Sequence, residues 1–492
     1  MIERENIMYK KLLVILTVAA LTFTLASCGG NQDTDEDVIY AVPVPNDTSE
    51  NGETSTESPD ETDKIDNRSL EFAEQTNAEN AEYRGTCGTN LEWYFRDGMV
   101  VVRGSGEMGE FVSAEGQDKS FEDIADKIEM VVVEGADNIS LGAFAALDNL
   151  QTVNLSDSVT TIGEHAFYEC DNLLEVTLGN SVESIENQAF YSCIALRDIN
   201  IPQTISQIGY EAFGGCSSLD NISLGNNLEE LADGAFMGCA SLTSISIPVS
   251  VTTFGRSVFT GCRGLTSVSI EAQLTEIPSM TFQTCESLNS IEIPSTVTSI
   301  GDYAFSQSGL TSVVIPNSVT TIGENVFSGC SLLGSVEVPG TVTSIGEQTF
   351  ANCTSLTNIS IPTGIETIPR YLYRGCTGIS SVEIPSNIDE IEEGAFEDTG
   401  IIEIVIPDTV SRMGKYVFRD CTQLEKITFL GMTTLELEGR NRDFQVLGIE
   451  SRYDTDEDAV EAYVPSKYYW DVYGPYVRST NSNIDWYELE EQ

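Results

Sequence analysis

The sequence predicts a right-handed solenoid of stacked coils, made mainly of short parallel β-strands with short helical or 3-10 turns and closed at its start by a β-hairpin cap. The first observation behind this is a cysteine period. Cys170, Cys193, Cys216, Cys239, Cys262 and Cys285 follow one another at a 23-residue spacing; the beat passes through Ser308 to Cys330, Cys353 and Cys376, then through Thr399 to Cys421. Apolar residues keep the same time. Twelve units between Asn149 and Thr422 repeat the pattern L-x-x-V-x-I-P-x-x-V-x-x-I-G-x-x-A-F-x-x-C, and a degenerate unit precedes them. The third observation is physical. A unit this short cannot bury its own apolar face, so the period implies coils that cover one another.

The chain begins with an address. Lys10 and Lys11 precede an apolar run, Leu12 to Leu25, that is too short to span a bilayer comfortably. It ends in Leu25-Ala26-Ser27-Cys28, which resembles the bacterial lipoprotein signal, cut before a cysteine that is then acylated. The competing reading is an ordinary secretory signal with a chance cysteine. Acylation of Cys28 by several chains would hold the protein durably at a membrane, since one chain binds only marginally. Residues 1–27 are thus expected to be a signal peptide and 28–83 an acidic tether, rich in Asp, Glu, Ser and Thr and poor in large apolar residues. Such a tether reaches roughly 40 Å as a flexible coil.

A cap is expected over 84–125. Apolar residues alternate on both sides of Asp97-Gly98, from Leu91 to Phe95 and from Met99 to Val102, which is the pattern of a β-hairpin. The repeats fill 126–430. Within one unit, such as Ser241 to Arg263, the L-x-x-V-x-I segment reads as a strand paired in parallel with its copies. Pro202, Pro248, Pro294, Pro316, Pro339, Pro362, Pro385 and Pro407 close it, because proline cannot donate to a ladder. Val and Ile of the second half suggest another short extended segment. The glycine then turns the chain, and A-F-x-x-C is expected to form one helical or 3-10 turn. Residues 431–492 form a C-terminal cap and tail in which Tyr468, Tyr469, Trp470, Tyr473 and Tyr476 crowd together. That cluster reads either as a lid on the last coil or as a platform for stacking sugars.

Units such as Ser287 to Phe305 closely resemble those of the BspA-like leucine-rich-repeat surface proteins of bacteria, and Cys87-Gly88-Thr89-Asn90-Leu91-Glu92-Trp93 is similar to the cap that often precedes such arrays. The resemblance spans about 84–480. It implies a leucine-rich-repeat solenoid displayed at the cell surface and, for some members, binding to host matrix proteins or other cells. It carries over no ligand and no binding residue, because the repeated positions describe a core.

Charge narrows the partners. With 78 acidic residues against 24 basic ones and a formal charge of −54, nucleic acid and anionic membrane surfaces are poor partners. Extracellular proteins or glycans remain, with the membrane reached through a lipid. The sequence suggests neither an enzyme nor a cofactor or metal: the cysteines lack close C-x-x-C pairs, and the lone histidine, His165, falls at a position that accepts many residue types and is expected to face solvent. Stacked cysteines could pair as disulfides, but equivalent side chains in successive coils point in parallel, which favours buried thiols acting as small hydrophobes.

The candidate binding face is the outward strand column, with Asn200, Ser223, Ser246, Ser269, Glu292, Glu337 and Glu383 as its representatives. It contains no aromatic residue or arginine, so the usual hot-spot residues are missing. The face reads either as a weak multipoint binding surface or as merely solvated. A rival function, capture of carbohydrate by the C-terminal aromatics, stays open on sequence alone.

Overall fold

In the computed structural model, residues 72–114, 117 and 119–430 are described in full, together with the backbone of three further strands, Glu436–Leu437, Val460–Pro465 and Ile484–Leu489. The repeats form a parallel β-solenoid. A first row of strands includes Met130–Ala136, Thr152–Leu155, Glu175–Thr177, Asp198–Asn200 and Asn221–Ser223. It resumes farther on as Ser244–Ile247 with Ser267–Ile270, Ser312–Val314 with Ser335–Glu337, and Glu403–Ile406 with Lys426–Phe429. A second row holds two-residue strands such as Thr161–Ile162, Ser184–Ile185 and Gln207–Ile208. The second extended segment of the sequence pattern is therefore present.

Register explains why the core is continuous. Val153 pairs with Val176, Ile199 with Ile222 and Ile245 with Val268, so each column stacks on its own copy one period later. Pro248 follows its strand directly, and its carbonyl accepts the N–H of Val251 at 3.1 Å, turning the chain toward the second row. A side-chain clip fixes that bend. The hydroxyls of Thr204, Ser250, Thr296 and Thr341 donate to the carbonyls of Val182, Leu228, Leu274 and Val319 in the coil before, at 2.6 to 3.1 Å.

The densest column is aromatic. Thirteen rings, from Phe144 through Phe259 and Tyr373 to Phe418, stack with centroids 5.2 to 5.9 Å apart and planes within 15° of parallel. Direct face-to-face contact would need about 3.5–4 Å. The wider spacing falls in the range of about 4.5–7 Å that aromatic pairs prefer over a face-to-face sandwich.

The third side of each coil departs from the expected helical turn. His165 (φ 57°) and Glu169 (φ 54°) are left-handed, and so are their equivalents in the next coil, Gln188 (φ 53°) and Ser192 (φ 58°). The N–H groups of His165, Phe167 and Glu169 donate to the carbonyls of Asn187, Ala189 and Tyr191 in the next coil, while those of Ala166 and Tyr168 fold back onto Gly163 and His165. Alternate donors thus point along the solenoid and around the turn. The corner satisfies its backbone by laddering, which a helix would prevent.

The hairpin cap forms as expected. Leu91–Arg96 and Met99–Gly106 pair antiparallel around Asp97 (φ 46°) and Gly98 (φ 82°), both in the left-handed region that a two-residue type I′ turn demands. Met99–Gly106 then pairs in parallel with Met130–Ala136 and so converts the hairpin into the solenoid. Phe111 and Phe121 stack on each other at 4.0 Å, and Phe111 meets Phe144 edge-on, closing the end of the aromatic column.

Residues 72–83, which the composition assigns to the tether, are folded. Phe72 and Ala73 pack against Met99, Val101, Met130 and Val132 on the outer face of the first strands. Arg103 clamps this strap, donating through Nη2 to the carbonyl of Ala73 at 2.6 Å and through Nε to Glu134 at 2.7 Å. The signal peptide expected over 1–27, Cys28 and the rest of 28–71, and the C-terminal aromatic cluster lie outside the described residues.

Replacing one ring of the column should be costly and local. Phe259→Ala is expected to lower unfolding free energy by roughly 3–5 kcal/mol, read by urea denaturation, with retention of the β-rich circular dichroism of the remaining coils.

Candidate functional site

The outward residues of the first strand row alternate with core residues along the same backbone. Ile199, Ile222 and Ile245 are buried, whereas Asn200, Ser223, Ser246, Ser269, Glu292, Glu337 and Glu383 are all exposed. Parallel register sets Asn200 beside Ser223 and Ser246 beside Ser269. Glu337 closes the strand Ser335–Glu337, while Glu292 and Glu383 occupy the same column in coils where the ladder is interrupted. Ser246 Oγ donates to Glu271 Oε1 at 3.3 Å. From residue 264 to 369 the sequence has no lysine or arginine, so the middle of this face carries carboxylates without a neighbouring base along the chain. At its N-terminal end the face is covered by the strap over Val101 and Val132. The free face starts beyond it.

The cysteine column lies on the inside. Cys170 through Cys421 are buried free thiols. They do more than fill space. Each donates to the carbonyl of the ring residue one coil earlier: Cys193 to Phe167 at 3.1 Å, Cys216 to Phe190 at 3.1 Å and Cys262 to Phe236 at 3.2 Å. The Phe190 carbonyl also accepts the N–H of Cys193, so the thiol uses its second lone pair. Where cysteine is missing, Thr399 Oγ1 turns instead to Phe396 in its own coil at 2.9 Å, and Ser308 Oγ lies 3.3 Å from the Cys330 thiol. Burial pushes Cys170, Cys216 and Cys262 up to about 12 from the ordinary 9.0. A thiol so held is a poor nucleophile. Among the described residues no group of three or more His, Cys, Asp or Glu is placed to hold a metal ion.

The left-handed corner holds what the strand face lacks. His165 is buried rather than solvent-facing, because its ring packs edge-on against Tyr168 at 5.2 Å and its Nε2 lies 2.7 Å from Gln188 Oε1 in the next coil. Gln188 Nε2 donates to Glu211 Oε2 at 2.6 Å, giving a polar ladder across three coils. Tyr168 and Tyr191 stack beside it at 5.2 Å. Near the other end, Arg370 pairs with Glu393 at 2.6 Å, and Glu397 sits between Arg374 and Arg419 at 3.7 and 3.6 Å. Burial pushes the Glu393 carboxyl up, but hydrogen bonds from Arg370 and Tyr371 outweigh it and hold the group below its usual value. The aromatic and arginine residues that concentrate binding energy elsewhere thus gather on this corner. One sequence signal could have revealed it: Tyr168 and Tyr191 are one period apart.

A laddered scaffold with an uninterrupted core and variable outer columns is the architecture of leucine-rich-repeat proteins. Residues 137–266, 257–371 and 343–437 match six copies of the BspA type leucine rich repeat region, and the chain belongs to that family. Its fold is shared with a leucine-rich repeat protein from Bacteroides ovatus ATCC 8483, at 26% identity over 82% of this chain and 99% of that one, with a TM-score of 0.63. Also similar are a leucine rich cell surface protein from Faecalibacterium prausnitzii A2-165 (24% identity, 76% and 100% covered, TM-score 0.42) and the pneumococcal vaccine antigen PcpA (16% identity, 84% and 100% covered, TM-score 0.48). No curated protein matches the chain.

The thiol column gives the fold an alkaline limit. The folded chain holds these protons more tightly than the unfolded one. The thiols' contribution to stability is therefore expected to be complete below pH 9 and to fall as pH climbs toward about 12. Thermal melting across that window, alongside slow iodoacetamide labelling of native protein at pH 8 and fast labelling in urea, checks it.

Proposed function

We propose that this is a bacterial cell-surface lipoprotein, anchored through acylated Cys28, that uses its solenoid as a non-catalytic surface for extracellular protein or glycan partners. The observation that carries this reading is the outward strand column. From Thr177 to Val405 it stays exposed coil after coil, while the column next to it is buried or half-buried. Such a face makes many small polar contacts, each weak, whose sum depends on array length. Membership of the BspA type leucine rich repeat family supports the location. Asn200, Ser223, Ser246, Ser269, Glu292, Glu337 and Glu383 are the residues we place at the contact.

Two experiments test it. Cys28→Ala should move the protein from the membrane fraction to the soluble one; persistence at the membrane would remove the lipid anchor from the reading. On an array of glycans and matrix proteins, the full chain and a version ending near residue 430 should give the same hits, weakened together by Glu292→Gln, Glu337→Gln and Glu383→Gln. Hits lost entirely on truncation would place the ligand site in the C-terminal aromatics instead.

A further inference from the structure

We propose that the left-handed corner of the first three repeat coils is a docking site for an arginine- or lysine-bearing segment of a basic protein, received by Tyr168, Tyr191 and Tyr210 beside the Glu211 carboxylate. This rests on the binding-scaffold reading and names a partner class, but places it on a different surface from the strand face.

The same corner, farther along the solenoid, shows what this set of side chains holds. In the coil of Tyr371, the Arg374 guanidinium lies over the tyrosine ring at 5.4 Å and reaches Glu397 at 3.7 Å. Two coils on, Arg419 lies over Tyr416 at 5.4 Å and reaches the same carboxylate at 3.6 Å. Tyr371 Oη also donates to Glu393, which pairs with Arg370. Tyrosine and glutamate at the corner are satisfied there by guanidinium groups of the chain itself.

In the first coils the chain presents tyrosines and a carboxylate at this corner and withholds the cation. The only lysine or arginine between residues 138 and 255 is Arg197, which immediately precedes the strand Asp198–Asn200. Among the described residues Glu211 has no ion-pair partner. It is nonetheless held in place, because Gln188 Nε2 donates to it and Gln188 is fixed in turn by His165. Ordering cost is thereby met before a partner arrives. Tyr168 and Tyr191 stack with planes 12° apart, and the stack ends where the next coil has Gly214. A Cβ there would stand 2.9 Å from Tyr191 Cδ2, so glycine makes room for the ring. Tyr210 remains 43% exposed. Burial raises the phenols of Tyr168 and Tyr191, and the charges of Glu169 and Glu211 add to the shift, the mark of a negative field that a cation would relieve. A basic partner is also drawn in by the whole surface, at formal charge −54.

The test uses the full chain and an Arg-Gly repeat peptide, titrated by calorimetry at physiological salt, with tyrosine fluorescence as a second signal. Glu211→Gln and Tyr191→Ser are each expected to weaken binding about tenfold, whereas Glu276→Gln, which removes the same charge from the exposed second strand row, changes it less than about twofold. Tyr210→Ala, at the exposed ring, gives the same answer if Tyr191→Ser disturbs folding. Equal losses in Glu211→Gln and Glu276→Gln would mean diffuse attraction and overturn the site. Absence of peptide binding by the unaltered chain would overturn it too, while leaving the strand-face reading to stand or fall on the glycan and matrix-protein array.

Discussion

The apolar columns of the repeats are covered above and below by the equivalent residues of neighbouring coils, because the strand ladders advance by one period of sequence. Ile199 on Ile222 and Phe213 on Phe236 are the same event in different columns. Most other features follow from this constraint. A ring column spaced by the coil rise accepts only planar aromatic residues of similar size, and Tyr373 shows that a hydroxyl can be carried without breaking the stack. Stability becomes a sum over neighbouring coils, so damage at one rung is felt mainly by the two beside it.

Backbone satisfaction is distributed over three sides of each coil. Two sides use strand pairing. The third uses left-handed residues to aim alternate N–H groups at the next coil, with thiol and hydroxyl groups completing carbonyls that the main chain leaves half-used. The ends are managed separately. At the N-terminus the hairpin and the Phe111–Phe121 pair close the core, and the strap clamped by Arg103 shields Val101 and Val132 on the outer face. With core and backbone settled this way, the outer columns are released from structural duty. The strand face became small, polar and acidic, and the corner accumulated tyrosines, glutamates and arginines.

Much of the fold was legible because periodicity in sequence maps directly onto periodicity in space. The strand row, the second extended row, the proline bends and the Asp97-Gly98 hairpin are all local consequences of residue type, and they are found where the pattern puts them, except that the first row is interrupted in the coils of Glu292, Asn358 and Glu383. Less legible was the corner. Positions 165 and 188 vary freely in residue type, which resembles solvent exposure, yet the constraint there acts on φ and not on the side chain. Cysteine was readable as a small buried group but not as a donor, since the acceptor, a phenylalanine carbonyl in the preceding coil, has no sequence signature. The strap has no compositional signature either, because Phe72 and Ala73 are too few apolar residues to mark a folded segment.

By itself the sequence determined the repeat, its length, which columns are apolar and hence which face is left to solvent; these depend only on chemistry recurring at a fixed spacing. Tertiary structure alone decided which side chains meet across coils. His165, Gln188 and Glu211 form a ladder, and Arg374 and Arg419 share one carboxylate, because residues one period apart in sequence are brought within hydrogen-bond or ion-pair reach. That meeting depends on side-chain direction as well as register, and direction is set by the left-handed backbone, which no single residue announces.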